Sequence, residues 1–374
     1  MKVMILSNQT RSMLNFWSVL VRQIQALGHE VVACAPPGDD ESDLALAEKG
    51  VPVIHYPLDR KGLNPVRDIR SLAVLRGIFA RHRPDLLFAT TIKPVIYGCM
   101  AAKSAHVPKI FATITGLGYA FEADTIIKKG INLLSSMLYK KALSGINGIF
   151  FQNLDDVEVF RKAGILSPSA KVFMSRGTGV DTERFAPAPF PAGAVRFLLI
   201  GRLLEAKGLN EYARAAAILE KEWPEVCCQL LGQPESGMGS VPLARIEAWQ
   251  SEGFIEYLGE CRDVRPYIAQ SHVIVLPSWR EGTPTAIMEA MSMGRPCVVS
   301  DAPGCREVVR EGYNGFLVPV RDAEALAGAM GNFLRDPAII AVMGEKGRQL
   351  AVADFDADKV AAKIINDMGL EAVK

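Results

Sequence analysis

Two glutamates eight positions apart, Glu281 and Glu289, bracket Gly282-Thr283-Pro284-Thr285, a stretch suited to open a helix. Free amides and the dipole at a helix start favour an anion such as phosphate. A carboxylate repels phosphate but accepts hydroxyl donors. The spacing thus offers one acceptor for a sugar ring at Glu281, one for a ribose at Glu289, and room for phosphates between. Read locally, an ordinary capped helix with exposed glutamates accounts for these residues equally well. A second constellation is Gly201-Arg202-Leu-Leu-Glu-Ala-Lys207-Gly208. Its two cations can neutralise a diphosphate. Alone, it reads as a solvated basic loop.

Strands and helices must hold these groups. Val273–Leu276 reads as a buried strand feeding the Glu281 loop. In the helix that follows, Thr283 suits the N-cap, Pro284 the first helical position and Gly294 the stop. Arg196–Ile200 reads as another strand, ending at Gly201 and followed by a helix over Leu209–Glu222. Both loops then emerge at carboxyl ends of parallel strands, where open α/β sheets bind ligands. Further strands are expected at Val3–Leu6, Glu30–Ala35, Val51–His55, Asp85–Thr90, Lys109–Thr113, Gly148–Gln152 and Val172–Ser175. After them come Cys227–Leu231, Ile255–Leu258, Cys297–Ser300 and Gly315–Val318. Helical patterns such as Met13–Leu27 and Val66–Arg81 lie between, as in βαβ units. The proline-rich stretch Ala186–Gly193 breaks the alternation and reads as a linker. The expectation is an α/β chain of two Rossmann-like doubly wound domains, residues 1–188 and 189–358. A terminal helix, Lys359–Leu370, is expected to pack back on the first, adding 359–374 to it.

The 374 residues are 49% apolar and 22% charged, ordinary for a globular enzyme with two cores. A net charge of +1 gives no argument for nucleic acid. Seven cysteines, with no C-x-x-C pair, exclude a zinc-ligand spacing or disulfide framework and suit reduced cytoplasmic thiols. The apolar run at the N-terminus is too short for a signal peptide, and no 18-residue apolar run exists. A cytoplasmic location, with association at the inner face of the cell membrane, is expected. Asp354-Phe-Asp356-Ala-Asp358 has a metal-like spacing, but its place before the last helix suits caps.

With both loops in view, the chain resembles the retaining glycosyltransferases of GT-B fold, family 4. Gly179-Val-Asp-Thr-Glu-Arg-Phe185 and Gly312-x-Asn314-Gly315-x-Leu317-Val318 add to the likeness, which runs nearly end to end. The resemblance implies two domains facing a central cleft, with the donor on the second and the acceptor on the first. It implies that Arg202 and Lys207 hold the donor diphosphate and that Glu281 contacts the donor sugar. Glu289 would bind the ribose. Gly201, and backbone N–H groups around Gly282–Thr285, would line the phosphates. Gly259–Asp263 would lie near the base, and Gly179–Phe185 would shape the hinge. It further implies no metal cofactor, a nucleoside-diphosphate sugar as substrate, retention of configuration and no agreed covalent nucleophile.

The acceptor side departs from many relatives. No histidine lies in Thr113-Ile-Thr115-Gly116-Leu-Gly118-Tyr119-Ala-Phe121. The third glycine of a dinucleotide fingerprint is also missing there. Thr91-Ile-Lys93-Pro94 follows a strand, so Lys93 is expected either to meet a phosphate or to be an ordinary surface lysine; with Thr115, Gly116 and Tyr119 it is a candidate acceptor residue. Both segments resemble a bacterial subgroup that builds undecaprenyl-diphosphate-linked glycans, diacetylbacillosaminyl-diphospho-undecaprenol N-acetylgalactosaminyltransferases among them. That implies a UDP-N-acetylhexosamine donor, a polyprenyl-diphosphate-linked saccharide acceptor, and a role in surface-glycan or glycoprotein-glycan synthesis. Asp124–Leu143 reads as a helix with Ile127, Ile131, Leu134 and Leu138 on one face and Lys128, Lys129, Lys140 and Lys141 flanking it. Such a helix suits an anionic membrane interface or an ordinary core seam. Alternatives are a UDP-sugar 2-epimerase, a hexosyltransferase with a soluble acceptor, and a non-catalytic nucleotide-sugar-binding subunit. The paired motifs favour transfer.

Overall fold

The computed structural model describes every residue except 61, 63, 118–125, 238 and 374. Side chains of 126–129 are likewise outside the description. The chain divides into two units: Met1–Thr178 with Ala357–Lys374, and Gly179–Asp356.

The first unit holds a seven-stranded sheet in the order β3-β2-β1-β4-β5-β6-β7, parallel throughout. Its strands are β1 (Lys2–Leu6), β2 (Glu30–Ala35), β3 (Val53–His55), β4 (Leu86–Thr90), β5 (Lys109–Ile114), β6 (Gly148–Phe151) and β7 (Val172–Met174). The central ones are near-continuous apolar runs because helices cover both faces. The second unit repeats the scheme with six strands, β10-β9-β8-β11-β12-β13. They are β8 (Arg196–Ile200), β9 (Cys227–Leu231), β10 (Glu256–Tyr257), β11 (Val273–Leu276), β12 (Cys297–Ser300) and β13 (Gly315–Val318). β3 and β10 are shorter than the sequence suggests, and both are edge strands, where little packing rewards length. The expected helix Met13–Leu27 is two, Thr10–Phe16 and Ser18–Ala26. Trp17 breaks it, buried edge-on against Phe88 at 5.1 Å.

The expected boundary at 188 is corrected to Thr178/Gly179. Ala186–Gly193 does not span two bodies; it is fixed to the second. The guanidinium of Arg295, fully buried, donates to the carbonyls of Ala188 (2.5 Å) and Pro189 (2.8 Å). It also reaches Ile268, Ala269, Ser271 and Met293, and stacks over Phe190. Phe185 is buried in the same unit, its carbonyl accepting from Ser292 Oγ at 2.8 Å. The terminal helix Ala357–Asp367 packs on helix Ser18–Ala26 of the first unit through Val360, Ala361, Ile364 and Ile365. Arg22 and Gln23 both donate to Asp358 Oδ1.

Candidate active site

In the second sheet β8 lies between β9 and β11, so the strand order reverses beside it. The carboxyl ends of β8 and β11 flank that switch point, the ligand position of open α/β sheets. After β8 a 3-10 turn, Glu205–Lys207, lifts Lys207, and Gly208 follows with φ +72°. A side chain at Gly208 would strike the Pro277 carbonyl, so the β8 loop presses directly on the end of β11. Trp279 locks the two loops together. Its amide donates to Ala206 O (2.9 Å), its indole N–H donates to Glu211 (3.2 Å), and Arg321 stacks on its ring at 4.0 Å. The result is a half-buried ion pair: Lys207 Nζ lies 2.5 Å from Glu281 Oε1. Arg202, well exposed, pairs with Glu235 at 3.2 Å.

The Glu281 loop leads into helix Thr285–Ser292. Two expectations are corrected here. Thr283 is not the N-cap, and Pro284 is not helical. Pro284 is itself the cap, with φ −71° and ψ 107°, and no side chain caps the helix. Proline fixes φ but leaves ψ extended, so the turn starts one residue later. The first amides, at Thr285 and Ala286, have no intrahelical acceptor by construction. Gly294 stands just past the end with φ +78°, as expected. Behind the loop, Gly304 abuts the Gly282 carbonyl with no room for a side chain. Glu281 N donates to Pro303 O at 2.9 Å.

Glu289 lies on this helix, one turn past its start. Burial pushes its carboxyl up to about 7; Arg184 pulls it down and Asp263 adds to the rise. Asp263 is held by Arg265 in a two-pronged pair, with contacts of 2.9 and 2.6 Å. That guanidinium keeps the Asp263 carboxyl below its ordinary range. The site therefore has a cationic end, Arg202 and Lys207, and a mixed end around Glu289, Arg184 and Asp263. Trp279, Gly304, Arg321 and Arg184 were not singled out from sequence. Only Arg184 carried a signal, inside the motif assigned to the hinge.

Comparison with known proteins decides what this arrangement belongs to. Residues 194–336 match the family described as "Glycosyl transferases group 1". Residues 15–144 match the "Glycosyl transferase 4-like domain". The chain is a GT-B glycosyltransferase. The transferase is 25% identical, over 98% of its length and 97% of the relative's, to a Campylobacter jejuni protein. That relative is named N,N'-diacetylbacillosaminyl-diphospho-undecaprenol alpha-1,3-N-acetylgalactosaminyltransferase. It is 27% identical, over 81% of its length and 80% of the relative's, to an Escherichia coli protein. This one is named UDP-Gal:alpha-D-GlcNAc-diphosphoundecaprenol alpha-1,3-galactosyltransferase. Anabaena HepE, solved with UDP-glucose, shares the fold at a TM-score of 0.79 and 17% identity, with 99% of each chain covered.

In the first unit of the transferase, the sequence candidates separate. The Lys93 ammonium donates to Asp59 O (2.8 Å), Gly62 O (2.7 Å) and Asp68 Oδ1 (2.7 Å). Its three donors are all used, so it ties a loop to helix Pro65–His82; the expected meeting with phosphate is replaced by that structural task. Thr115 and Gly116, with φ +129°, follow β5 at the carboxyl edge of the sheet. Tyr119 lies outside the described residues, as do the side chains of Lys128 and Lys129. Lys140 and Lys141 are exposed on helix Ile126–Leu143. The apolar face expected on that helix is corrected. Leu138 packs inward, but Leu134 points out with Leu133 and Met137. The seam instead follows Tyr139, Ala142 and Leu143, because the Tyr139 ring meets Phe160 at 5.1 Å. The three aspartates near the C-terminus take separate partners: Arg310 for Asp354, Thr182 for Asp356, Arg22 and Gln23 for Asp358. No helix among the described residues is long and apolar enough to cross a membrane.

Proposed function

We propose that the enzyme moves an N-acetylhexosamine from a UDP donor to a polyprenyl-diphosphate-linked saccharide, with retention of configuration and without a metal. The observation that carries the donor half is the Lys207–Glu281 pair at the β8/β11 switch point. Leaving-group charge grows on a nucleoside diphosphate as its bond to the sugar breaks. Preorganised cations and helix amides stabilise such charge best when fixed beforehand. Lys207 is fixed by Glu281, and Arg202 stands beside it on the same loop. Glu281 is the acceptor for a sugar hydroxyl on this reading, and Glu289 accepts from the ribose. Transfer breaks the bond from anomeric carbon to phosphate oxygen and forms one to the acceptor oxygen. The acceptor proton passes to the departing phosphate, so no protein nucleophile is invoked.

The acceptor half rests on the two relatives named above, both acting on diphospho-undecaprenol-linked saccharides by name. On this reading the enzyme works in surface-glycan or glycoprotein-glycan synthesis, at the inner face of the cell membrane. The test is a donor screen on a lipid-linked saccharide, read by product mass, with and without a chelator. UDP-N-acetylhexosamine is expected to be used, chelator to have no effect, and proton couplings of the product to show the donor's anomeric configuration. Inverted configuration or chelator-sensitive turnover contradicts those parts of the reading.

A further inference from the structure

The segment Asp181-Thr-Glu-Arg184-Phe185 closes its own turn. Asp181 Oδ1 accepts from the amides of Glu183 (3.2 Å) and Arg184 (2.9 Å), and the Phe185 amide donates to Asp181 O at 2.9 Å. An aspartate side chain closes turns in this way by binding backbone two residues on. The turn is then fastened to helix Thr285–Ser292 on both sides of Arg184. Ser292 Oγ donates to Phe185 O at 2.8 Å. Arg348, from helix Ala338–Asp354, donates to Thr182 O and to Ser292 O, each at 2.9 Å. Thr182 and Phe185 are buried, whereas Arg184 between them is exposed. The backbone at Arg184 is therefore fixed while its side chain stands outside the core.

Ser292 marks where on the helix the turn sits. Glu289 is three residues earlier, on the same face and one turn nearer the loop that carries Glu281. Its carboxyl is partly buried and accepts no hydrogen bond among the described residues. A carboxyl left unpartnered in such a place is costly unless a ligand uses it. Arg184 likewise makes no ion pair among the described residues; its guanidinium lies 5.7 Å from the centre of the Phe185 ring. The other groups around Glu289 are committed elsewhere. Arg265 is spent on Asp263, and beyond it reaches the Arg184 carbonyl at 3.5 Å. Arg348 is engaged by the oxygens of Thr182, Phe185 and Ser292. Burial, Asp263 and Glu289 all raise the Cys261 thiol, so it carries no charge near neutral pH. Burial pushes the Glu289 carboxyl up and Asp263 adds to the rise, while Arg184 is the cation that opposes both.

We infer that Arg184 is a positioning residue of the nucleotide site: a cation set beside Glu289 by the 181–185 turn, which keeps that side chain an acceptor for the ribose hydroxyls. An ionised carboxylate accepts from both hydroxyls of a ribose, whereas the protonated acid turns one oxygen into a donor. Arg184 thus serves the nucleoside end of the donor, as Arg202 and Lys207 serve its phosphates. The inference rests on the donor reading proposed above.

Calorimetric titration of the full chain with UDP, from about pH 6 to about pH 8, tests it in the wild type, R184M, R184K, E289Q and R184M/E289Q. Affinities are read relative to E289Q, which carries the titration of UDP itself. Wild-type affinity is expected to rise across this range. In R184M the rise should be displaced upward by at least about half a pH unit, because losing an opposite charge raises a carboxyl. R184K keeps the charge and should stay within about twofold of the wild type. R184M/E289Q should match E289Q within about twofold, since glutamine has no proton to lose. R184M is expected to melt within a few degrees of the wild type, its side chain being exposed. Coincident profiles for wild type and R184M, both rising relative to E289Q, overturn the inference and leave the donor site standing. An equal loss of affinity on R184M with and without Glu289 also overturns it, placing Arg184 on UDP itself. A wild type that binds no UDP, or that parallels E289Q, contradicts the donor reading and the inference with it.

Discussion

Lys207 and Glu281 are 74 positions apart in the chain, yet their side chains meet at 2.5 Å. One comes from the loop after β8, the other from the loop after β11, and no local element could hold them so. On the proposed function the pair would do two tasks at once: fix a cation for the departing phosphate and a carboxylate for the sugar. Lys207→Met and Glu281→Gln are each expected to slow transfer at least about a hundredfold, the loss of one preorganised charge-stabilising group. The double variant should be little worse than either single one, since the two act as a unit. Additive losses in single-turnover rates would show that they work separately. Arg202→Ala should cost about 2–4 kcal/mol of transition-state stabilisation by the same reasoning. A loss of less than about tenfold would remove it from the site.

Glu289 should make both stability and donor binding depend on pH. Its folded carboxyl titrates at about 7, against an ordinary glutamate value of 4.5. Protonated Glu289 is therefore favoured by folding. Its contribution is complete below 4.5 and is lost as pH rises toward and through 7. Glu289→Gln should then melt higher than the wild type at about pH 8, and the gap should close toward about pH 4.5. Ribose binding runs the other way, because the ionised carboxylate is the better acceptor. Wild-type affinity for UDP should rise relative to the variant from about pH 6 to about pH 8. Parallel UDP titrations in the two proteins would remove Glu289 from the ribose site.

Gly208 joins two requirements at one residue: φ +72° and contact with the Pro277 carbonyl. Gly208→Ala is expected to cost at least about 1–2 kcal/mol from the left-handed backbone alone. The added methyl should also push the β8 loop off β11 and weaken UDP binding. Unchanged denaturant midpoint and UDP affinity would contradict the close approach.

Among the described residues, Arg295 is a buried cation with six carbonyl partners and no carboxylate. Burial pushes its guanidinium down to about 10. Replacing it with alanine strands those carbonyls and opens a cavity under Phe190. Arg295→Ala should destabilise the second unit by about 3–5 kcal/mol, as when one partner of a buried charge cluster is removed. A denaturant titration that shifts by less than about 1 kcal/mol would contradict its role as the clamp on the proline-rich segment.

Both sheets were legible because their strands are apolar runs of a few residues between helical patterns. The donor loops were legible because glycine, lysine and glutamate stand at fixed distances there. What escaped was long-range. The boundary near 188 was misplaced because Ala186–Gly193 looks like a linker in one dimension, while Arg295, more than a hundred positions on, pins it down. On the 126–143 helix periodicity finds a stripe but not its neighbour: Leu138 of the stripe packs inward, Leu134 is exposed, and the Phe160 ring selects Tyr139 as an inward residue. Lys93 looked like a phosphate ligand until the carbonyls of Asp59 and Gly62 supplied its partners. Trp279 and Arg321 carry no spacing signal at all, since their stacking depends on two loops that only the fold brings together.

The central claim is transfer itself. UDP-N-acetylhexosamine would be incubated with and without a polyprenyl-diphosphate-linked saccharide, and UDP release and acceptor mass followed in the same sample. The expected result is UDP appearing only with acceptor present, mole for mole with an acceptor one N-acetylhexosamine heavier. A sugar altered while still attached to UDP would show an epimerase instead. No UDP release with any lipid-linked acceptor would contradict the account.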